Sequence, residues 1–242
     1  MENLITKKTQ KIEINDIDYM GEYQIYLLFH HFTDIATRNG IEIGLWKQEL
    51  MKDYGWVVAK QSLHLDEPIC YGEEIELSTL PADGTFVSFP RYYFIKKNEK
   101  MIGYCSSLWT LIDLHKRCIV LPKRVGIDVP KFDHNITLPS PDSIDIDVPL
   151  NYMETRQVRY SDVDTNQHMN NAKYIQWAMD LIDFDIHKEN FLSEMTIQYQ
   201  KEIKPLTQVQ LFLGKKDQSY IVQGKDELND YFLIQLTFSQ RK

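Results

Sequence analysis

Between Asp162 and Asn171 the chain reads Asp162-Val163-Asp164-Thr165-Asn166-Gln167-His168-Met169-Asn170-Asn171, its densest run of polar groups. Carboxylates, a carboxamide and an imidazole together can activate water, hold a carbonyl oxygen and pass a proton. In an extended stretch alternate residues face the same way, so Asp164, Asn166 and His168 are expected to converge on one site. A helical pattern begins directly afterwards. The first amides of a helix are unpaired donors at the positive end of its dipole. They suit a carbonyl oxygen that gains negative charge during acyl transfer.

Other uses of these residues compete. Asp162, Asp164 and Asn166 take the first, third and fifth places of a calcium loop. Gln167 then stands where that loop needs glycine, and Lys173 where it needs a bidentate glutamate. The lysine would repel the ion, and calcium is rejected. One histidine with two aspartates offers too few soft ligands for a zinc centre. Turn and capping residues alone also explain Asp, Asn and His before a helix. That reading stays open.

The elements that must position the segment occur twice. Ile14-Asn15-Asp16-Ile17-Asp18 lies over Tyr160-Ser161-Asp162-Val163-Asp164, and each stretch leads into a helix. Ile25, Leu28, Phe29, Phe32, Ile35 and Ala36 share one face of the first helix, which Asn39-Gly40 should end. Ala172, Ile175, Met179 and Ile182 do the same in the second, with Asn170 or Asn171 as N-cap. Strands follow in matching order. Ser62 to Ile69 pairs with Thr196 to Ile203, Ile75-Glu76-Leu77 with Val209-Gln210-Leu211, and Gly103 to Ile112 with Tyr231 to Phe238. The first copy carries extra residues around Gly44 to Tyr54. It keeps Asp16 and Asp18 but has Met20 for Asn166 and Glu22 for His168. A purely turn-forming set should be tolerated in both copies, so the loss fits one working site and one degenerate copy.

Between the copies runs Pro130 to Pro149, with Pro139-Ser140-Pro141 in its middle. Proline lacks the amide donor and fixes its own backbone, so an extended linker is expected. A sheet wrapped round one apolar helix buries such a pattern economically. The expected architecture is therefore α+β, a tandem (double) hotdog: an N-terminal unit over 1–129, a linker over 130–150 and a C-terminal unit over 151–242.

Bulk composition narrows the function classes. The 242 residues carry a net charge of -8, against the basic excess of nucleic-acid binders. Cys70, Cys105 and Cys118 form no CxxC and no even set, which suits reduced thiols in the cytoplasm. No stretch approaches the ~18 apolar residues of a membrane helix. The first residues, Met1 to Lys8, lack the hydrophobic centre of a signal peptide.

Here the sequence resembles the plant and bacterial acyl-acyl carrier protein thioesterases. The likeness rests on Asp162-Val163-Asp164-Thr165-Asn166-Gln167-His168 continuing to Ile175, on Gly55-Trp56-Val57-Val58-Ala59-Lys60 and on Ser106-Ser107-Leu108-Trp109-Thr110-Leu111-Ile112. Arg117, Pro122 and Ile197-Gln198-Tyr199-Gln200-Lys201-Glu202 extend it, so that it covers roughly residues 5 to 240. The resemblance implies a double-hotdog hydrolase releasing fatty acids from acyl carrier protein, without cofactor or metal. It puts the family's catalytic Asp, Asn, His and Glu on Asp164, Asn166, His168 and Glu202. It puts acyl-chain binding in the N-terminal unit and admits a homodimer. Plant members have a cysteine after that glutamate, where this sequence has Ile203. A thiolate mechanism at that position is thereby excluded. Plant members also carry a transit extension that this sequence lacks, so a bacterial form is expected.

On this reading Asp164 or Glu202 activates water, or Asp164 attacks directly. His168 orients or shuttles the proton, Asn166 holds the carbonyl or the water, and helix amides near Asn170 and Asn171 receive the charge. Phe29, Phe32 and Trp56 are candidates for the acyl tunnel. Arg156, Arg159, Lys173, Lys201 and Lys204 are candidates to meet an acidic carrier. Rival functions are a coenzyme A thioesterase of the same fold, a non-catalytic acyl-binding module and, from fold alone, a dehydratase.

Overall fold

The computed structural model describes residues 4–132 and 134–241. Met1, Glu2, Asn3, Asp133 and Lys242, which the expected units and linker include, lie outside the described residues. The first half contains β1 (Thr6–Lys11), α1 (Ile25–Glu42), β2 (Tyr54–Leu65), β3 (Glu74–Pro81), β4 (Phe89–Lys97), β5 (Lys100–Asp113) and the short β6 (Cys118–Ile119). The second contains β7 (Asn151–Gln157), α2 (Asn171–Met179), α3 (Phe184–Glu189), β8 (Asn190–Tyr199), β9 (Gln208–Lys216), β10 (Ser219–Lys225) and β11 (Asp230–Gln240).

These strands form one continuous antiparallel sheet in the order β1-β3-β4-β5-β2-β8-β11-β10-β9-β7, with β6 on β5. The order reads the same from both ends once β7, β9, β10, β11 and β8 are taken as copies of β1, β3, β4, β5 and β2. The halves meet where β2 pairs with β8, and Ser62 faces Thr196 at the centre of that pairing. Their hydroxyls lie 3.1 Å apart. Those two residues are equivalents in the sequence repeat, so a pseudo-twofold axis passes between them.

Each helix lies against its half of the sheet because it carries one apolar stripe. Leu28, Phe29, Phe32 and Ile35 of α1 and Ile175 and Ala178 of α2 are buried in one core shared by strands of both halves. Phe32 stacks on Tyr93 of β4 with ring centroids 4.5 Å apart. The result is the double hotdog, an antiparallel sheet curved round two central helices.

Two local expectations change. Asn39-Gly40 does not end α1, which continues to Glu42. The Asn39 side chain is drawn into the core, where Arg91 donates to its Oδ1 at 2.7 Å and its amide reaches Thr6 Oγ1 at 3.1 Å. Gly40 packs beneath Trp46, so its small size serves close approach within the helix. The described residues between Pro130 and Pro149 form no helix or strand, but they are no loose spacer. Ser106 donates to the Pro139 carbonyl at 2.6 Å, and Ile144 is buried against Ile221 and Leu233. They strap the outer face of the sheet. No helix among the described residues is long and apolar enough to cross a membrane.

Candidate active site

The Asp162–Asn171 segment is a tight loop rather than an extended strand. Val163 bridges Met169, and the Gln167 amide donates to the Asp164 carbonyl at 3.0 Å. Asp162 folds back to accept from the Arg159 amide at 2.8 Å, and Asp164 Oδ1 accepts from the Asn166 amide at 2.8 Å. Local carboxylate–amide bonds of this kind favour turns over strands. The first copy repeats the pattern bond for bond. Asp16 accepts from Glu13, Asp18 Oδ1 accepts from Met20, and Ile17 bridges Tyr23. Asp162 and Asp164 therefore share a loop-building role with Asp16 and Asp18. What separates the copies is Asn166, His168 and Glu202 against Met20, Glu22 and Pro68.

At the turn's apex the first copy has Gly21 at φ 75°, whereas the second holds Gln167 at φ 62°. A side chain in that left-handed region costs roughly 1–2 kcal/mol. After the greater chain entropy of glycine is deducted, Gln167→Gly is expected to stabilise the fold by about 0.5–1 kcal/mol. Urea unfolding checks this, and a loss of stability would remove the strain from the account.

Three side chains meet beside the loop. His168 Nε2 lies 3.4 Å from Glu202 Oε2, and Arg117 forms an ion pair with the same oxygen. Glu202 sits just beyond the end of β8 and His168 just before α2. Arg117 comes from the other half, in the turn between β5 and β6, at φ 54°. Burial pushes the His168 imidazole below its ordinary value, Arg117 and Lys204 reinforce the shift, and Asp164 opposes it. The neutral ring is thus favoured at neutral pH, with a nitrogen able to accept a proton. Burial also pushes the Tyr174 phenol up, with the Asp164 charge adding to it, so it stays protonated.

Of the four residues singled out in the sequence, His168 and Glu202 are in contact and Asp164 is close enough to bias the imidazole. Asn166 is exposed at the loop tip, and its side chain bonds to none of the other three among the described residues. The helix-amide expectation narrows. The Asn170 amide is taken by the Asp162 carbonyl at 2.8 Å, and Asn170 caps α2 by accepting from Ala172 at 2.9 Å. The Asn171 amide is left outside these bonds. Ile203, where plant members have cysteine, is wholly buried, and its carbonyl accepts from Met169.

Among the aromatic candidates Phe29 and Phe32 belong to the core, whereas Trp56 lines a cavity in the first half. That pocket encloses about 40 Å³, or about 500 Å³ with its open mouth, and lies between the end of α1 and strands β2, β4 and β5, with Trp46, Phe89 and Trp109 also in its wall. Among the cations Arg156 is spent on Glu154 and Asp180. Lys201 bonds to Asn229, while Arg159 and Lys204 are exposed. Arg117 joins this cluster although the sequence alone does not point to it. Its type and its distance from the polar segment give no sign that a hairpin of one half reaches into the other.

Sheet, helices and junction define the class: a hotdog pair with an imidazole–carboxylate–guanidinium cluster at the seam between its halves. Residues 3–125 match the acyl-ACP thioesterase N-terminal domain, and residues 150–235 match the acyl-ACP thioesterase C-terminal domain. The chain belongs to the acyl-ACP thioesterase family.

It is 25% identical over 217 residues to a chloroplastic palmitoyl-acyl carrier protein thioesterase of Arabidopsis thaliana, covering 83% of this chain and 53% of that one. It is 22% identical over 218 residues to a chloroplastic dodecanoyl-[acyl-carrier-protein] hydrolase of Cinnamomum camphora, covering 82% and 56%. The chain thus spans about half the length of these plant relatives. Its fold is similar to the crystal structure of an acyl-ACP thioesterase from Bacteroides thetaiotaomicron, with TM-score 0.85, 21% identity and coverage of 98% and 99%. It is also similar to the 12:0-ACP thioesterase from Umbellularia californica, with TM-score 0.81, 17% identity and coverage of 98% and 98%.

Proposed function

We propose that the chain hydrolyses fatty acyl thioesters carried on acyl carrier protein and releases free fatty acid. The observation that carries this is the His168–Glu202–Arg117 cluster, assembled across the seam of a chain belonging to this family. Water attacks the thioester carbonyl, and its proton passes to neutral His168. Arg117 and His168 hold the Glu202 carboxylate, which in turn orients the imidazole and stabilises its protonated form. The new carbon–oxygen bond forms, the carbon–sulfur bond breaks, and the imidazolium returns its proton to the departing thiolate. Asp164 holds the loop that presents His168, Asn166 supplies an amide to the carbonyl or the water, and the Asn171 amide faces the developing charge.

In this reading residues 1–129 house the acyl chain in the cavity lined by Trp56 and Trp109, residues 130–150 strap the units together, and residues 151–242 supply the catalytic loop. One chain provides every group in the cluster, so assembly as a homodimer would add nothing to the chemistry. A reducing cytoplasmic setting is supported by three unpaired cysteines, Cys70, Cys105 and Cys118.

Thiol release from acyl carrier protein and coenzyme A carriers of the same acyl groups, over several chain lengths, tests the proposal. Faster release from coenzyme A would favour the rival thioesterase, and no release with tight acyl binding would favour a binding module. Single turnover in heavy-oxygen water tests the attacking group. Label confined to the fatty acid supports direct water attack, and label in the Asp164 carboxyl would show that Asp164 attacks instead. A further expectation concerns thiols. Burial pushes the Cys70 and Cys105 thiols up, away from the reactive thiolate. Turnover of a Cys70→Ser/Cys118→Ser variant should match the unsubstituted chain, and a drop of about tenfold or more would argue for sulfur chemistry.

A further inference from the structure

The pseudo-twofold axis gives the candidate active site a counterpart on the first copy's loop. Arg117 follows β5 and reaches Glu202 in the second half. Arg241 follows β11 and pairs with Glu22 in the first. Glu22 stands where the second copy has His168, and Pro68 where it has Glu202. The counterpart therefore keeps an acid–arginine pair but has lost the imidazole–carboxylate contact.

A cleft opens there, about 1350 Å³ with its mouth. Its apolar wall comes from Leu65, Ile69, Met179, Ile182, Phe191 and Leu192. Its polar end is compensated internally. Glu22 neutralises Arg241, Asp180 is held by Arg156, and Asp18 has both Met20 and Glu22 amides on its Oδ1. The Arg241 guanidinium also donates to the His187 carbonyl at 2.7 Å, yet its buried Nε has no acceptor among the described residues. A buried donor without an acceptor is costly. Every arginine or lysine in the wall is already paired, and Asp18 would repel a second carboxylate. The wall thus favours an uncharged carbonyl oxygen on an apolar chain over a free fatty acid.

We propose that this cleft is a second, non-hydrolytic ligand site for the acyl-pantetheine class, an apolar chain with uncharged amide and thioester carbonyls. The proposal rests on the thioester reading of the first site and extends it to the degenerate copy. Bound there, such a chain accepts from Arg241 Nε and lays its apolar part along α2 and β8.

Calorimetric titration of the 242-residue chain with octanoyl-pantetheine amide, in which NH replaces the thioester sulfur, tests this. The wild type should bind two equivalents. Arg241→Met, and separately Met179→Trp, which fills the cleft from the opposite wall, should each weaken one equivalent at least tenfold. Both should leave thioester turnover unchanged; Arg241→Met strands Glu22 and lowers the melting temperature, so Met179→Trp, which keeps that pair, separates loss of the site from loss of stability. A single equivalent in the wild type, or two that neither variant disturbs, overturns the proposal. So does decanoate binding in the cleft as tightly as the amide. Hydrolysis is read separately. Normal turnover with one equivalent removes only the second site, whereas absent turnover removes the reading of the first.

Discussion

Replacement of His168 by alanine is expected to lower kcat/KM for thioester cleavage by about 10² to 10⁴, the usual worth of a positioned proton acceptor. Each tenfold is about 1.4 kcal/mol of transition-state stabilisation, so the loss is large beside any change in folding. His168 is partly exposed and sits in a loop held by backbone bonds to Asp164, Ile203 and Asp162. Its removal should leave the melting transition almost unmoved. The pH profile supplies the second readout. Burial, and then Arg117, push the imidazole below its ordinary value. The neutral acceptor therefore persists at neutral pH, and activity should fall only as pH drops through a midpoint below 6.5. The same sign governs stability. His168 contributes fully above 6.5, and the contribution is lost as pH falls toward the depressed value. His168→Ala should abolish that acid limb. Turnover within about tenfold of wild type, with the limb intact, would give the proton transfer to another group.

Arg117→Gln is the second large effect. The guanidinium faces both members of the pair, and glutamine keeps hydrogen-bonding capacity while removing the charge. Without it the main cationic influence on His168 is gone, and Glu202 faces the imidazole alone. The acid limb of kcat/KM should then move up toward or beyond 6.5, so that activity at mildly acidic pH falls more than at pH 8. Arg117 is 44% exposed, which screens its charge and holds the loss at neutral pH to about 10- to 100-fold. Arg117→Lys should recover most of the pH profile, since charge rather than the planar fork sets the shift. An unmoved acid limb in Arg117→Gln would reduce Arg117 to a surface contact.

The repeat was legible because each element kept its periodicity and order. The Asp-x-Asp loop, the amphipathic helix and the alternating strands recur with the same partners, and the strand order follows that equivalence. The extent of α1 was less legible. Asn39-Gly40 is a common stop signal, but Arg91 and Thr6, distant in sequence, hold Asn39 inside the core. The loop departs from the expected extended form for a related reason. Alternation holds for a strand, whereas Asp162 and Asp164 fold onto neighbouring amides and turn the chain. Those two aspartates turned out to carry the same structural work in both copies, so the difference between copies rests on Asn166, His168 and Glu202.

The sequence by itself determined the double hotdog, the acyl-ACP thioesterase family, and the polar segment at the mouth of the second helix. The fold and the polar segment are written in local spacing, and the family in the motifs that carry the resemblance. Only the tertiary structure brought Glu202 within 3.4 Å of His168, set Arg117 from the other half against both, and opened a second cleft at Glu22 and Arg241. The reason is that pairing β2 with β8 joins the two sheets edge to edge about a twofold axis. Residues at the end of one half then fall beside the loop of the other, and no run of neighbouring residues records that meeting.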